Sequence, residues 1–152
     1  MTAVRSAKPG DLPLLLVDAE DAVDADHTVW QHLKTHDDWD KPDGTGDDQA
    51  FLMVQVMEAW FLADRAMLRA YFGPELSEKH FREWPSLENV SKQTVYGALE
   101  KATAGCKRKV YAKGRVSFEM LAELDPLKVE MACPHAKALF ERLRGLDGTN
   151  PG

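Results

Sequence analysis

The fold is decided by the stretch Leu14-Leu15-Leu16-Val17-Asp18-Ala19-Glu20-Asp21, an apolar run that ends abruptly in acid. A short apolar run bounded by turn signals is typical of a buried strand, and α/β folds cover such strands on both faces. Ligands in these folds bind outside the carboxyl ends of the strands. The sequence therefore predicts an α/β fold with three carboxylates at the ligand-binding edge of its sheet.

These three carboxylates indicate a metal site. Asp18, Glu20 and Asp21 lie within four positions and repel one another unless a cation or basic groups neutralise them. Oxygen ligands of this kind suit Mg²⁺ or Mn²⁺. We predict all three as metal ligands. The open alternative is a strand that runs into a solvated acidic loop.

Length and composition indicate one globular domain. The chain has 152 residues, of which 44% are hydrophobic and 29% charged, which excludes wholesale disorder. We expect a loose terminus over 1–12, the folded domain over 13–144 and a disordered tail over 145–152. The formal net charge of −6 does not favour extensive electrostatic binding of nucleic acid, although the basic stretch 101–115 can still hold phosphate.

The cysteines and the hydropathy bear on localisation. Cys106 and Cys133 are far apart and lack CxxC spacing, which argues against a zinc site and a disulfide scaffold. No apolar run approaches the length of a membrane span, and residues 1–11 lack the apolar stretch of a signal peptide. We expect a reduced, cytoplasmic setting and no membrane association.

The pattern along the chain predicts few strands and many helices. Strands are expected at Leu14–Val17 and Phe51–Gln55, and residues 22–36 are ambiguous. Together they predict only a partial parallel sheet. Helices are expected over 56–71, from a Ser91 cap to near Gly105, over 116–124 with Phe118, Leu121 and Leu124 on one face, and over 134–143, with weak helical character over 76–83.

A second acidic position is Glu58, which lies inside a strongly apolar stretch just after the second strand. An unpaired charge there is costly. It either begins a helix, where the helix dipole favours a carboxylate, or joins Asp18 and Glu20 around one metal. Asp64, six positions on, falls on roughly the opposite face and is predicted to be structural.

Basic and aromatic residues complete the candidates. Lys92, Lys113 and Arg115 are predicted to contact phosphate, with Gly114 allowing close approach of the backbone; a solvated surface loop is the alternative. His32 and His36 are spaced i, i+4 but lack the glutamate of a metalloprotease motif. Trp30, Trp39, Trp60 and Trp84 are read as core or loop anchors rather than base-stacking platforms.

Several blocks of the sequence resemble those of one family. They are Leu15-Leu16-Val17-Asp18-x-Glu20-Asp21, Trp30-Gln31-His32-Leu33, Asp38-Trp39-Asp40-x-Pro42, Met57-Glu58-x-Trp60-x-x-Ala63-Asp64 and Tyr111-x-Lys113-Gly114-Arg115. The chain is similar, from about Leu14 to Leu143, to a prokaryotic family of unknown function with a TOPRIM-like core, domain-of-unknown-function family 4276. The block around Glu58 is its most specific part.

The resemblance implies Mg²⁺-dependent phosphodiester chemistry on nucleic acid, as in nucleases. Asp18 matches the first aspartate of the TOPRIM Asp-x-Asp pair, and Glu20 stands where the second would be. Both would hold the metal, and Glu58 would orient them or act as a general base. The three catalytic candidates are thus Asp18, Glu20 and Glu58.

The family also carries an upstream segment with a Val-Glu-Gly strand and its helix, which does not precede Asp18 in this sequence. We therefore expect a truncated TOPRIM-like domain that lacks its first strand and helix and is inactive by itself. The strand edge left uncovered would favour self-association. The alternative function is a non-catalytic interaction module, or a truncated remnant, that acts with a partner ATPase.

Overall fold

Two parallel strands form the sheet that the structure describes. The structure is a computed structural model and describes residues 8–107 and 110–148. Strand β1 (Leu15–Asp18) pairs with β2 (Ala50–Met53) in parallel, with Leu16 opposite Phe51. Both strands lie within a few residues of their predicted positions, and the α/β class is confirmed.

Within those two ranges, seven α-helices surround the strands. Short 3₁₀ turns lie at Asp47–Gln49, Glu78–His80 and Leu87–Asn89, so the weak helix predicted over 76–83 reduces to a single turn. The helices are α1 (Val29–Asp37), α2 (Glu58–Ala63), α3 (Arg65–Phe72), α4 (Lys92–Thr103), α5 (Arg115–Glu123), α6 (Pro126–Ala132) and α7 (Pro134–Asp147).

Helix α1 resolves the ambiguous segment 22–36. Thr28 caps it, accepting a hydrogen bond from the Gln31 backbone N–H, and the Gln31 side chain accepts one from the Thr28 backbone N–H. This capping box satisfies two of the free amides of the first turn. Trp30 and Leu33 then pack in a small hydrophobic cluster with Leu52 of β2.

The sheet separates two hydrophobic clusters. Phe51 belongs to the larger one, with helices α2 to α7, whereas its neighbour Leu52 faces α1. Alternate residues of β2 are therefore buried on opposite faces, as predicted for a core strand. Strand β1 differs, because none of its residues is fully buried and Leu16 is 39% exposed.

The single helix predicted over 56–71 is wrong in one respect, since it breaks at Asp64. The Asp64 carboxylate caps α3 by accepting a hydrogen bond from the Met67 N–H. It also accepts from the Asp125 N–H at 3.0 Å and from Lys128 Nζ at 2.8 Å. Asp64 is thus structural, as predicted: it caps α3 and joins the break between α2 and α3 to the α6 region.

The buried face of α5 also differs from the prediction. Ser117 and Met120 point into the core, while Phe118, which was expected there, is exposed. The helix follows Gly114, which has a φ of 104°. Ser117 and Met120 are spaced i, i+3 and share the buried face, whereas Phe118 lies about 100° around the helix from Ser117.

The C-terminal helix is longer than predicted. It continues to Asp147, so residues 145–147 are helical rather than part of a tail. Arg144 on α7 makes a bidentate ion pair with Glu130 on α6, at 2.7 and 3.0 Å, which holds these last turns in place. The rest of the predicted tail, 149–152, and residues 1–7 of the predicted loose terminus lie outside the described residues.

The two cysteines are buried thiols. Cys106 and Cys133 are both free, and burial raises the pKa of the Cys133 thiol to about 12. Neither is therefore an accessible nucleophile. No helix among the described residues has the length and apolar character needed to cross a membrane.

Candidate functional site

A cleft of about 720 Å³ opens at the carboxyl ends of β1 and β2. Asp18 closes β1, Met53 closes β2, and Glu58 begins α2 directly beyond β2. Glu20 and Lys113 line the same cleft. Parallel strands present their carboxyl ends at one edge, and the structure accordingly brings Asp18, Glu20 and Glu58 together, with Asp64 elsewhere.

Asp18 is held by the start of the next element. The backbone N–H of Met57 donates to Asp18 Oδ1 at 2.7 Å. Burial raises the pKa of the Asp18 carboxyl; the Met57 hydrogen bond opposes this shift, while the negative charges of Glu58 and Glu20 add to it. The cleft therefore disfavours the ionised form of Asp18 unless a positive charge enters.

Glu58 is the most deeply placed acid of the cleft, with only 1% of its surface exposed. Tyr111 Oη donates to its Oε1 at 2.8 Å, and Ser117 Oγ lies 3.5 Å from the same oxygen. Its other oxygen, Oε2, is buried and has no hydrogen-bond partner. A buried carboxylate oxygen without a partner is costly, and this atom can accept a hydrogen bond or bind a cation.

Glu20 is fixed by its backbone and by Lys92. Its φ of 64° lies in the left-handed region, which is unusual for a side chain of this kind. Its N–H donates to the Gln55 carbonyl at 2.8 Å, and Oε2 accepts from Lys92 Nζ at 2.9 Å. This hydrogen bond raises the pKa of Lys92. Lys92 therefore neutralises Glu20 at the margin of the cleft.

Lys113 is the cation that the basic loop contributes. Its ammonium group lies 4.7 Å from the centroid of the Tyr96 ring, a cation–π contact. The neighbouring Tyr96 side chain raises the pKa of Lys113, and the charges of Glu58 and Glu20 raise it further. Lys113 stays charged at neutral pH and faces the acids.

Two predicted residues are not brought into the cleft. Asp21 is exposed, and its Oδ1 accepts a hydrogen bond from the adjacent Ala22 N–H. Arg115 is exposed on α5 and pairs with Glu119 one turn on. The two cations of this loop therefore have different surroundings: Lys113 faces the acids and Arg115 faces solvent.

The geometry of the carboxylates limits how a metal ion could be bound. In the part of the chain that the structure describes, no three or more His, Cys, Asp or Glu side chains converge as a group that could hold a metal ion. Mg²⁺, however, is commonly held by one or two carboxylates together with water and substrate phosphate. Asp18 and Glu58, with its unpartnered oxygen, fit that smaller set. Metal binding by Asp18, Glu20 and Asp21 stays a prediction.

Sequence reasoning did not assign Tyr111, Ser117 or His32 to the site. Tyr111 lies in the same block as Lys113, and burial, together with its hydrogen bond to Glu58, raises its pKa, so it remains a donor. His32 Nε2 lies 2.9 Å from the Ala19 carbonyl, which only accepts, so this nitrogen carries the proton. It holds the loop between Asp18 and Glu20. The sequence did offer one signal for Tyr111: a buried glutamate such as Glu58 requires a hydrogen-bond donor, and Tyr111 can supply it.

A family model described as domain of unknown function (DUF4276) matches residues 3–144. The chain belongs to that family. The match covers the strands, the cleft and most of α7, so the resemblance seen in the sequence blocks is confirmed at the level of the DUF4276 family. Comparison with curated proteins and with solved structures finds no match.

Proposed function

We propose that this DUF4276 protein is a TOPRIM-like, Mg²⁺- or Mn²⁺-dependent enzyme that acts on phosphodiester bonds of nucleic acid. The observation that carries the proposal is Glu58, a buried carboxylate with one unpartnered oxygen in the same cleft as Asp18. Buried acids in a cleft, with a raised pKa nearby, are typical of functional sites. Most buried polar side-chain atoms have a hydrogen-bond partner, so an unpartnered carboxylate oxygen in a cleft supports a ligand site.

The charges of the cleft support a divalent cation together with a phosphate. Four carboxylates (Asp18, Glu20, Asp37 and Glu58) and Lys113 line the cleft, and Lys92 pairs with Glu20, which leaves a formal net charge of −2. One divalent cation would neutralise this charge. A phosphodiester carries a single negative charge, so the cleft would repel it without the cation and admit it with the cation.

Each residue then has a role. Asp18 and Glu58 would hold the ion, and Tyr111 keeps the Glu58 carboxylate in place through Oε1. Bound there, the ion would orient a phosphate and stabilise the charge that develops on it. Lys113 would contact a phosphate oxygen. Glu20, held by Lys92, lies beside Asp18 to orient water.

The first prediction concerns metal binding. We expect Mn²⁺ to bind the wild-type chain. Binding is measured as the loss of the free-ion signal in electron paramagnetic resonance. The Asp18→Asn, Glu58→Gln double variant should bind at least about tenfold more weakly, because a metal site loses both of its charged ligands. Asp21→Asn removes an exposed charge outside the cleft lining and is the matched control. It should bind like wild type if Asp18 and Glu58 hold the ion, whereas weaker binding would make Asp21 a ligand, as the sequence predicts. Equal binding by the double variant would overturn the metal site.

Activity is measured separately from binding. The sequence predicts a chain that is inactive by itself, whereas the proposal rests on acids that line one cleft without the upstream glutamate. Incubation with supercoiled plasmid and with a single-stranded oligonucleotide, in Mg²⁺ and in a chelator, should therefore give cleavage that needs the ion. The cleavage should disappear in Glu58→Gln and persist in Asp21→Asn. If Glu58→Gln cleaves at the wild-type rate, phosphodiester chemistry does not take place in this cleft.

A further inference from the structure

Two exposed aromatic side chains line the same cleft as the acids. Trp39 is 38% exposed and Phe118 is 67% exposed, and both border the cleft with Asp18 and Glu58. The sequence reading placed Trp39 among core or loop anchors and Phe118 on a core-facing helix side. In the structure neither is in the core, although both have a solvent-facing surface that is costly to leave exposed.

The backbones that carry these aromatic side chains are well fixed. Trp39 follows the C-cap residue Asp38 of α1, and its N–H donates to the Leu33 carbonyl at 3.3 Å. Phe118 lies in the first turn of α5, next to Ser117, which approaches Glu58. One aromatic residue therefore comes from the end of α1 and the other from the start of α5. Both are held near the acids by ordered helix termini.

We propose that Trp39 and Phe118 hold an unpaired base, so that the ligand of the cleft is a single-stranded or frayed nucleic acid. This inference rests on the proposed function, which places the phosphate at Lys113. A base within a duplex already has both faces stacked and cannot present one to a side chain. An extruded or single-stranded base can stack on exposed aromatic rings without regard to its sequence.

The size and chemistry of the cleft agree with this ligand. Its volume of about 720 Å³ is within the range of about 300–1,000 Å³ of small-ligand sites, enough for a nucleotide but not for a double helix. The polar groups lie at the carboxyl ends of the strands, and the aromatic groups border the same space. A nucleotide has the same division, with a charged phosphate and a flat apolar base.

The test compares two ligands that differ only in their bases. A thymidine tetranucleotide and an abasic tetranucleotide carry the same phosphates, and Ca²⁺, which also takes oxygen ligands, serves as the cation. Calorimetric titration should give wild-type binding to the thymidine form about tenfold tighter or more, the size expected for stacking of one base. Trp39→Ala and Phe118→Ala should each lose most of this preference and keep the affinity for the abasic form.

A matched variant controls for the loss of exposed apolar surface. Leu127→Ala changes a side chain that is 64% exposed on α6, outside the cleft, and should keep the full preference. If wild type binds both tetranucleotides equally, or if the Trp39→Ala, Phe118→Ala double variant keeps the preference, the inference is overturned. Binding of a peptide or an apolar small molecule in place of either tetranucleotide also overturns it.

The experiments distinguish failure of the proposed metal site from failure of the base-binding inference. If Mn²⁺ binds through Asp18 and Glu58 but bases make no difference, the metal site stands and the base-binding role fails. If Mn²⁺ does not bind and neither tetranucleotide binds, both fail. If the base preference is present and depends on the two aromatic residues while Mn²⁺ binding does not depend on the acids, the base site stands and the metal site fails.

Discussion

The environment of Asp18 shifts its pKa, and this shift changes the stability of the folded chain with pH. Burial raises its pKa, the Met57 N–H lowers it, and Glu58 and Glu20 raise it again, with a net upward shift. The folded chain therefore binds the Asp18 proton more tightly than the unfolded chain does. Above the folded pKa, the ionised group lowers the free energy of unfolding. Such a cost is typical of functional sites.

The second prediction follows from that sign. Asp18→Asn keeps an oxygen acceptor for the Met57 N–H and removes the charge, so it should raise the melting temperature by a few degrees at pH 8. The gain should shrink as the pH falls through the raised folded pKa toward the ordinary aspartate value of about 4, because the folded chain then already carries the proton and the charge that Asn removes is absent. Thermal unfolding of both forms from pH 4 to 8 measures this. Stabilisation that grows toward acid pH would contradict it.

Asp64 gives the opposite case and the third prediction. Although burial pushes its pKa up, the hydrogen bonds from Lys128 and from the N–H groups of Asp125 and Met67 hold the pKa below its usual range. The stability that it contributes is present above the ordinary aspartate pKa and is lost as the pH falls through the lowered folded value. Asp64→Ala should reduce stability by about 2–3 kcal/mol, from a lost cap and unpaired amides.

Experiment can separate the structural role of Asp64 from the metal-binding role proposed for Asp18. Denaturant unfolding at pH 7 should show the loss for Asp64→Ala, while Mn²⁺ binding by the folded variant stays unchanged. A variant of Asp64 that remains stable but no longer binds Mn²⁺ would move this residue from a structural role into the site.

At the scale of elements, β1 is an apolar strand that the described chain leaves partly uncovered. It pairs with β2 on one side, and Leu16 is 39% exposed. An exposed apolar strand edge favours pairing with another chain. The fourth prediction is therefore self-association that depends on concentration, measured by sedimentation velocity.

A matched pair of variants tests which surface is responsible. Leu16→Lys places a charge on the strand edge and should favour the monomer. Leu143 on α7 is also 39% exposed, and Leu143→Lys should leave the association unchanged. Association that persists in the Leu16 variant, or disappears equally in both, would exclude the edge of β1.

The elements also show what local sequence can predict. The helix beginning at Ser91 was predicted correctly because its cap is local, with Ser91 Oγ accepting from the Thr94 N–H. The break at Asp64 was missed although one part of it is local, the Asp64 cap on the Met67 N–H. The other groups that stabilise it, Asp125 and Lys128, lie some sixty positions along the chain, and the local periodicity carries no information on them.

The candidate site divides in the same way. Asp18, Glu20 and Glu58 follow strands directly, so the rule for parallel strands is enough to bring them together. Tyr111 and Phe118 reach the site because the chain beyond α4 returns to it, where Tyr111 contacts Glu58 and Phe118 lines the cleft. That return path depends on the packing of the whole core, and the sequence pattern does not specify it.

At the scale of the whole molecule, net charge limits how nucleic acid can bind. Nineteen basic residues face 25 acidic ones, a net charge of −6, so the chain as a whole repels a polyanion. Of the two cations beside the cleft, Lys92 is already paired with Glu20. Binding should therefore depend on a divalent cation and on few direct phosphate contacts.

The last prediction follows from the small number of cations that are available to contact phosphate. With about one phosphate neutralised by Lys113, the affinity for a single-stranded oligonucleotide should fall with salt at a log–log slope of about −0.7. The measurement is the dissociation constant between about 50 and 300 mM KCl at fixed Ca²⁺. Lys113→Gln should flatten the slope toward zero, while Lys137→Gln, an exposed lysine on α7, should leave it unchanged. A slope several times steeper would mean that an extended basic surface binds the nucleic acid, since each further phosphate neutralised adds its own share to the slope. The cleft at the strand ends would then not be the main contact.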